Sequence, residues 1–160
     1  MALKGERIVV LGGSSGIGLA TAQAAAREGA TVVIASSRKA RIDQALATLP
    51  AGTEGHVLDL ADSDATQALF ARLGGFDHLV FTAGETLQLG SLADTDMDAA
   101  RRFFTLRYWG AYCAAKYGSS NIRKGGSIVF TSGIAGQRPR TGWSSRQHRL
   151  ARRGANATVG

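Results

Sequence analysis

The sequence predicts an α/β domain built on a doubly wound parallel sheet. Short runs rich in Val and Ile alternate with segments of helical periodicity, a pattern typical of βαβ units around a parallel sheet. At 160 residues and 44% hydrophobic content, the chain is long enough to bury the core of one such domain. A glycine-rich turn lies between the first strand and the first helix, as in many parallel sheets that bind nucleotides.

The first two strand–helix units follow from local patterns. Residues 7–11 (RIVVL) read as a buried strand, and the helix predicted over 16–28 carries Ala and Leu on its sheet face. A second strand is predicted over 31–35. The helix after it is predicted over 39–49, because Pro50 cannot continue it.

The remaining elements continue the alternation. Three further strands are predicted, over residues 56–59, 78–82 and 127–131. A helix capped near Asp62 or Ser63 is expected to run to residue 73, where two glycines stop it. A long helix over residues 96–117 precedes the fifth strand. No internal repeat and no linker interrupts the chain before residue 137.

The formal net charge of +7 is concentrated at the C-terminal end. The first 137 residues hold thirteen Lys and Arg against twelve Asp and Glu, so they are nearly neutral. The tail contains no acidic residue and six arginines: Arg138, Arg140, Arg146, Arg149, Arg152 and Arg153. Nucleic-acid binding through this tail is a remote alternative, because it rests on charge alone, with one aromatic residue nearby, Trp143.

Composition also limits the class of protein. No apolar run reaches the ~20 residues of a membrane span, and the N-terminal segment lacks the pattern of a secretory signal. We therefore expect a soluble, cytoplasmic protein. Cys113 is the single cysteine, so neither an internal disulfide nor a cysteine metal cage is predicted, and no metal site is expected.

The glycine turn LGGSSGIG indicates the chemistry. Gly12, Gly16 and Gly18 stand between the first strand and its helix. Glycines in this position allow a tight turn and let backbone N–H groups and the helix N-terminus approach a pyrophosphate. A glycine triplet alone is a weak signal, but the strand–turn–helix context makes it a prediction of dinucleotide binding.

With these motifs the sequence resembles the short-chain dehydrogenase/reductase family over residues 5 to about 143. The family glycine motif is TGxxxGIG, and Leu11 replaces its Thr. Further landmarks appear in order: Asp59-Leu60 after the third strand, TAG ending at Gly84, and GSIVFTSGIAG from Gly126. The resemblance implies a Rossmann-like sheet with strand order 3-2-1-4-5. It also implies hydride transfer between NAD(P)(H) and a small carbonyl or alcohol substrate.

The predicted cofactor site combines the glycine turn with the ends of the second, third and fourth strands. By the resemblance, Asp59 and Leu60 contact adenine, and Ala83 and Gly84 line the cleft, although Phe81 and Thr82 replace two family Asn residues. A solvated strand end is the alternative for Asp59. The predicted cofactor-binding residues are Gly12, Ser14, Ser15, Gly16, Ile17, Gly18, Ser36, Ser37, Arg38, Asp59, Leu60, Ala83 and Gly84.

The end of the second strand predicts NADP in preference to NAD. An NAD enzyme places a carboxylate there to bind the ribose 2′-OH, whereas this chain has Ser36, Ser37, Arg38 and Lys39. Hydroxyls and a guanidinium can bind a 2′-phosphate that a carboxylate would repel. In the alternative interpretation, Arg38 and Lys39 are only solvated charges at the start of a helix, a position that the helix dipole disfavours.

Tyr112 and Lys116 (YCAAK) have the i,i+4 spacing of the family's catalytic pair, which places both side chains on one helix face. The family pair follows the fifth strand, however, and Tyr112 precedes it. We interpret the spacing as chance. The helix over 96–117 packs against its own copy in the family, so the resemblance implies a homo-oligomer formed through it.

The catalytic positions of the family are not matched. Counting from the GIAG motif places Arg146 and Leu150 where the family has Tyr and Lys, and Gly133 where it has Ser. Arg107 stands at the family Asn of the long helix. Ser132 remains as the tentative catalytic residue if the turn shifts by one residue, with a structural role in the turn as the alternative.

These departures have two possible causes. One is a divergent lineage. The other is a frameshift or truncation that leaves a dinucleotide-binding domain over residues 1–143, incomplete at the C-terminal side, and an irregular Arg-rich tail over 144–160. We favour the second for the tail, whereas the departures at Gly133 and Arg107 lie upstream of it and are assigned to the first. Either one leaves room for a non-catalytic NADP-binding protein or a non-functional product. In the second interpretation the fifth strand keeps an exposed edge, which favours association.

Overall fold

The computed structural model describes residues 2–84, 93–94 and 96–133, and five strands in these ranges form one parallel sheet. The strands are β1 (Arg7–Leu11), β2 (Thr31–Ser36), β3 (Glu54–Val57), β4 (Phe76–Phe81) and β5 (Ile122–Phe130). Their order is β3-β2-β1-β4-β5, so the predicted topology is confirmed. Residues 134–160, including the predicted tail, lie outside the described ranges.

Helices connect consecutive strands, as the alternating pattern predicts. They are α1 (Gly16–Arg27), α2 (Lys39–Leu46), α3 (Ser63–Leu73), α4 (Met97–Phe104) and α5 (Ala111–Gly118). Asp62 caps α3, since its carboxylate accepts hydrogen bonds from the backbone N–H groups of Asp64 and Ala65 at 2.9 Å. The N-terminus predicted near Asp62 or Ser63 is therefore confirmed.

The sheet is covered on both faces, which explains why its central strands read as continuous apolar runs. Val9 and Leu11 of β1 face a core that includes residues of α3 and α5, while Ile8 and Val10 face a second core with α1 and α2. The alternation of side chains along a strand thus divides β1 between two cores. This arrangement is the doubly wound architecture that the sequence predicts.

The long helix predicted over 96–117 is interrupted. A π-helical segment, Thr105–Gly110, separates α4 from α5, and a short 3₁₀ turn, Ser119–Asn121, leads into β5. Gly110 lies at the end of the π-helical segment, against the main chain that follows β3. A Cβ on Gly110 would lie 2.9 Å from the carbonyl oxygen of Leu60, so the glycine allows the helix to pass close to that chain.

Strand and helix boundaries differ from the predictions at several places. β3 begins at Glu54 rather than at residue 56, because it pairs with residues 33–36 of β2, and its exposed side chains give no apolar pattern. Asp59 consequently follows the strand. β5 begins at Ile122, which pairs with Phe76, and residues 123–126 form a bulge because the next pair is His78 with Ser127.

A polar network joins four strands at the edge of the sheet where β1 begins. The Asp77 carboxylate accepts hydrogen bonds from the backbone N–H of Arg7 at 2.7 Å and from the Arg123 guanidinium at 2.8 Å. The Arg7 guanidinium in turn donates to Glu54 of β3 at 2.8 Å. This network fixes the strands at one edge and leaves the opposite edge, at the carboxyl ends of the strands, for a ligand.

An aromatic patch lies on the outer surface of the interrupted helix. Tyr108, Trp109 and Tyr112 form it, with ring centroids 4.9 Å and 6.2 Å apart in successive edge-to-face contacts. The side chains of Trp109 and Tyr112 are 57% and 59% exposed. Phe103, in contrast, is buried. Within the described residues, no helix is long and apolar enough to cross a membrane.

We predict that Trp109→Lys reduces self-association of the chain, because it places a charge in the centre of the exposed aromatic patch. Size-exclusion chromatography with light scattering at several concentrations measures the effect. Val57→Lys is the matched control. Val57 is equally exposed, but it lies on β3, the outer strand on the side of the sheet away from β5. A wild-type chain that remains monomeric at all concentrations would contradict an oligomer formed through this helix.

Candidate functional site

The turn between β1 and α1 brings three segments of main chain into close contact. Gly12 adopts a φ of +87°, and a Cβ there would lie 2.6 Å from the backbone nitrogen of Ala83. Its own N–H donates to the carbonyl of Ala35 at 2.8 Å. The first glycine of the motif therefore satisfies two requirements at once, a left-handed conformation and the absence of a side chain.

Gly18, in the first turn of α1, packs against the same main-chain segments. A Cβ on Gly18 would lie 2.2 Å from the Gly12 carbonyl oxygen and 2.4 Å from the Thr82 hydroxyl. Thr82 is itself fixed to β1, because its backbone N–H and its hydroxyl both donate to the carbonyl of Leu11, at 2.8 Å and 3.0 Å. The motif thus seats the beginning of α1 directly on the ends of β1 and β4.

The N-terminus of α1 presents its backbone N–H groups without a side-chain cap. Ser15 occupies the N-cap position but makes no capping hydrogen bond, and the first turn contains no acidic residue. Ile17 in that turn is 69% exposed. Uncapped N–H groups at the positive end of a helix dipole form a site that favours an anion.

The end of β2 forms one wall beside this helix terminus. The Ser14 hydroxyl is buried and lies 2.8 Å from the hydroxyl of Ser36, which connects the glycine turn to β2. Arg38 is exposed at the start of α2. Lys39, in contrast, forms an ion pair with Asp43 at 2.8 Å and is not among the residues that line the cleft.

The turn after β3 forms a second wall. Leu58 and Leu60 are buried, and Asp59 between them is exposed. One carboxylate oxygen of Asp59 accepts a hydrogen bond from the backbone N–H of Ala61 at 2.9 Å, so the side chain stabilises the turn. Asp59 nevertheless borders the same open space as the glycine turn.

These walls enclose an open cleft of about 330 Å³ at the carboxyl ends of β1, β2, β3 and β4. All thirteen residues predicted for the cofactor site line it. Four further residues complete the described lining: Arg41, Leu58, Thr82 and Leu106. Thr82 is the first residue of the TAG motif, so the sequence contained a signal for it. Leu106 and Arg41 carry no such signal, because helix packing brings them to the cleft.

The sequence-predicted catalytic candidates do not meet in this cleft. Ser132 and Gly133 are exposed beyond β5 and are not among the lining residues. Tyr112 and Lys116 are exposed on α5, where the Lys116 amine lies 5.1 Å from the ring of Tyr117. The YCAAK pair therefore lies away from the cleft, in agreement with the interpretation as chance spacing. Positions 146 and 150 fall outside the described residues.

Arg107 lies close to the end of the cleft formed by Gly84. A Cβ on Gly84 would lie 2.7 Å from the central carbon of the Arg107 guanidinium. The same guanidinium stands over the ring of Phe103, 4.9 Å from its centroid. A half-buried cation therefore occupies the position at which the family has an Asn.

Among the described residues, no group of three His, Cys, Asp or Glu side chains could hold a metal ion.

Comparisons with known proteins agree with this geometry. Residues 6–145 match the family model described as short chain dehydrogenase. The chain is 35% identical over 149 residues to the short-chain dehydrogenase/reductase fsr5 of Gibberella fujikuroi, which covers 84% of this chain and 56% of that protein. It spans about 56% to 61% of the length of three curated relatives that it matches.

Solved structures show the same fold. A short chain dehydrogenase/reductase family protein superposes with a TM-score of 0.86 at 31% identity, over 94% of this chain and 64% of that one. BdcA in complex with NADPH superposes with a TM-score of 0.82 at 25% identity, over 93% of this chain and 62% of that one.

We predict that Gly18→Ala destabilises the fold although Ala is the better helix former by about 1 kcal/mol. The added Cβ would collide with the Gly12 carbonyl, and such overpacking costs about 1–3 kcal/mol. Urea unfolding followed by circular dichroism measures the loss. Gly16→Ala is a comparison that isolates left-handed backbone strain from steric collision, because Gly16 has a φ of +54° and open space around its Cβ position. A Gly18→Ala chain more stable than wild type would contradict the close contact.

Proposed function

Because the chain belongs to the short-chain dehydrogenase/reductase family, an oxidoreductase family that binds NAD(P), we propose that it binds NADP(H) for hydride transfer to or from a small carbonyl or alcohol. The observation that carries the proposal is the cleft at the carboxyl ends of the strands. There the uncapped N-terminus of α1 meets a glycine turn with no room for side chains at Gly12 and Gly18. This is the position at which doubly wound sheets bind ligands.

The residues present fit a dinucleotide phosphate. Backbone N–H groups at the start of α1 suit the pyrophosphate, and the buried Leu58 and Leu60 supply an apolar surface beside Asp59 for the base. When bound, the nicotinamide ring supplies the hydride acceptor or donor. The chain's own contribution in the described part is to bind and orient that group.

NADP is proposed over NAD on the charge at the end of β2. Ser36, Ser37 and Arg38 line the cleft there, and no carboxylate stands beside them to repel a 2′-phosphate. Asp59 is the one acidic residue in the described lining, and it follows β3 rather than β2. The similarity to a structure in complex with NADPH supports the same choice.

Hydride transfer in this chain is proposed to be impaired. Arg146, Leu150 and Gly133 stand where the family pattern has Tyr, Lys and Ser, and Arg107 replaces its Asn. Ser132 is then the remaining candidate for contact with a substrate oxygen. A protein that binds NADP(H) without turnover is therefore the second candidate function. The cleft favours binding, whereas no described residue in it is a proton donor matched to the family's Tyr.

A homo-oligomer formed through α4, the π-helical segment and α5 is part of the proposal, since the exposed aromatic patch lies there. The small-molecule partner is a carbonyl or alcohol by family membership. Binding of nucleic acid by the arginine-rich tail is not proposed, because the support for it is charge alone.

We predict that Arg38→Asp weakens NADPH binding about 10- to 100-fold and changes NADH binding by less than about twofold. The substitution replaces a partner of the 2′-phosphate by a like charge. Titration calorimetry with both cofactors measures the ratio. Lys39→Asp is the matched control: it makes the same change of charge one residue away, at a side chain that is paired with Asp43 and does not line the cleft.

Equal loss of both cofactors in Arg38→Asp would contradict the proposed preference for NADP. A wild-type chain that binds neither cofactor would overturn the proposed function as a whole. A separate turnover assay with NADPH and a panel of small aldehydes and ketones distinguishes an enzyme from a binding protein.

A further inference from the structure

Arg41 is a second guanidinium at the adenosine end of the cleft, and the sequence motifs do not assign it. It lies on the first turn of α2 and lines the cleft together with Ser15 and Arg38. Its Nη1 lies 3.5 Å from the hydroxyl oxygen of Ser15, across the open space between α2 and the glycine turn. The side chain thus reaches from the element that follows β2 to the element that follows β1.

The first turn of α2 carries an excess of positive charge. Arg38 is the N-cap residue, Lys39 and Arg41 follow within the turn, and there is no acidic residue in it. Cations at this end of a helix oppose the helix dipole, and both Arg38 and Arg41 line the cleft. Capping residues such as Ser or Asp are the usual choice at the N-cap, so local stability does not explain this composition.

The carboxylate nearest in sequence does not relieve that charge. Asp43 binds Lys39 through both carboxylate oxygens at 2.8 Å. Across residues 2–84, 93–94 and 96–133, neither Arg38 nor Arg41 forms an ion pair. Two guanidinium groups therefore face the cleft, while the third cation of the turn is neutralised on the helix surface.

We propose that Arg41 is a specificity-determining residue that binds the 2′-phosphate of NADP(H) opposite Arg38, with the Ser15 hydroxyl between the two helices as a further hydrogen-bond donor. The inference rests on the proposed function. In doubly wound sheets the end of β2 is where the ribose 2′ position lies, and a phosphate monoester there carries a charge of about −1.5 to −2 at pH 7. Two guanidinium forks match its three oxygens in charge and in geometry.

A contact with the pyrophosphate would place Arg41 differently. The pyrophosphate belongs at the N–H groups of Gly16, Ile17 and Gly18, inside the first turn of α1. Ser15 precedes that turn, and Arg41 approaches it from the side of β2. Arg41 is therefore expected to distinguish ligands by their 2′-phosphate and not by their diphosphate.

The test uses the 160-residue chain and two pairs of ligands that differ only in the 2′-phosphate: adenosine 2′,5′-bisphosphate with adenosine 5′-monophosphate, and NADPH with NADH. We expect Arg41→Ala to weaken the first member of each pair about tenfold and the second by less than about twofold. Arg41→Lys should restore part of the affinity, because it keeps the charge and loses the fork. Lys39→Ala, the matched control, should change none of the four dissociation constants by more than about twofold.

Loss of NADH and NADPH affinity by the same factor would overturn the inference in favour of a contact with the pyrophosphate. Unchanged affinities for all four ligands would show that Arg41 remains solvated, which also overturns it. Folding is checked by circular dichroism, and Arg41 is exposed, so Arg41→Ala should leave the spectrum unchanged. Suppose that wild type binds NADPH, that Arg38→Asp removes the preference for NADPH over NADH, and that Arg41→Ala keeps it. Only this inference then fails. If wild type binds no nucleotide, the proposed function fails with it.

Discussion

The close approach of three backbone segments at the carboxyl end of the sheet is the constraint on which the site depends. Gly12 leaves β1 in a left-handed conformation against Ala83, and Gly18 brings α1 onto the Gly12 carbonyl. Any side chain at these two positions would push the helix away from the strands. The uncapped N–H groups of α1 would then move away from β2 and β4, and the cleft would lose the geometry that suits a phosphate.

Charge is distributed around the cleft in agreement with this geometry. The helix terminus supplies partial positive charge at the centre, and Arg38 and Arg41 add full charges at the β2 side. Asp77 and Glu54 lie instead at the opposite edge of the sheet, where they bind Arg123 and Arg7. The carboxylates thus hold the strands together at one edge, and the anion site lies at the other. Arg107 adds a cation close to Gly84, where the family has a neutral side chain.

The sequence was sufficient for the topology and for most of the cleft, because both depend on local signals. Buried strands, helix caps and the glycine turn are determined by residues close together in the sequence. The predicted order of strands is confirmed. Boundaries were wrong where pairing, not pattern, decides them: the side chains of β3 are mostly exposed, so β2 alone fixes its register. Arg41 and Leu106 reach the cleft through helix packing, which single-sequence periodicity does not reveal. The π-helical segment Thr105–Gly110 was also missed, since the close approach of Gly110 to the Leu60 carbonyl is a tertiary contact that periodicity does not reveal.

Amide hydrogen exchange with and without saturating NADPH would show whether the cleft at the glycine turn binds a nucleotide phosphate. We expect slower exchange in peptides that cover residues 12–18, 36–41, 58–60 and 82–84, with no change over residues 119–126 at the other end of the strands. NADH should protect residues 12–18 but should protect residues 36–41 less. Protection confined to the arginine-rich residues after 137, or no protection at the glycine turn at concentrations that saturate binding, would contradict nucleotide binding in this cleft.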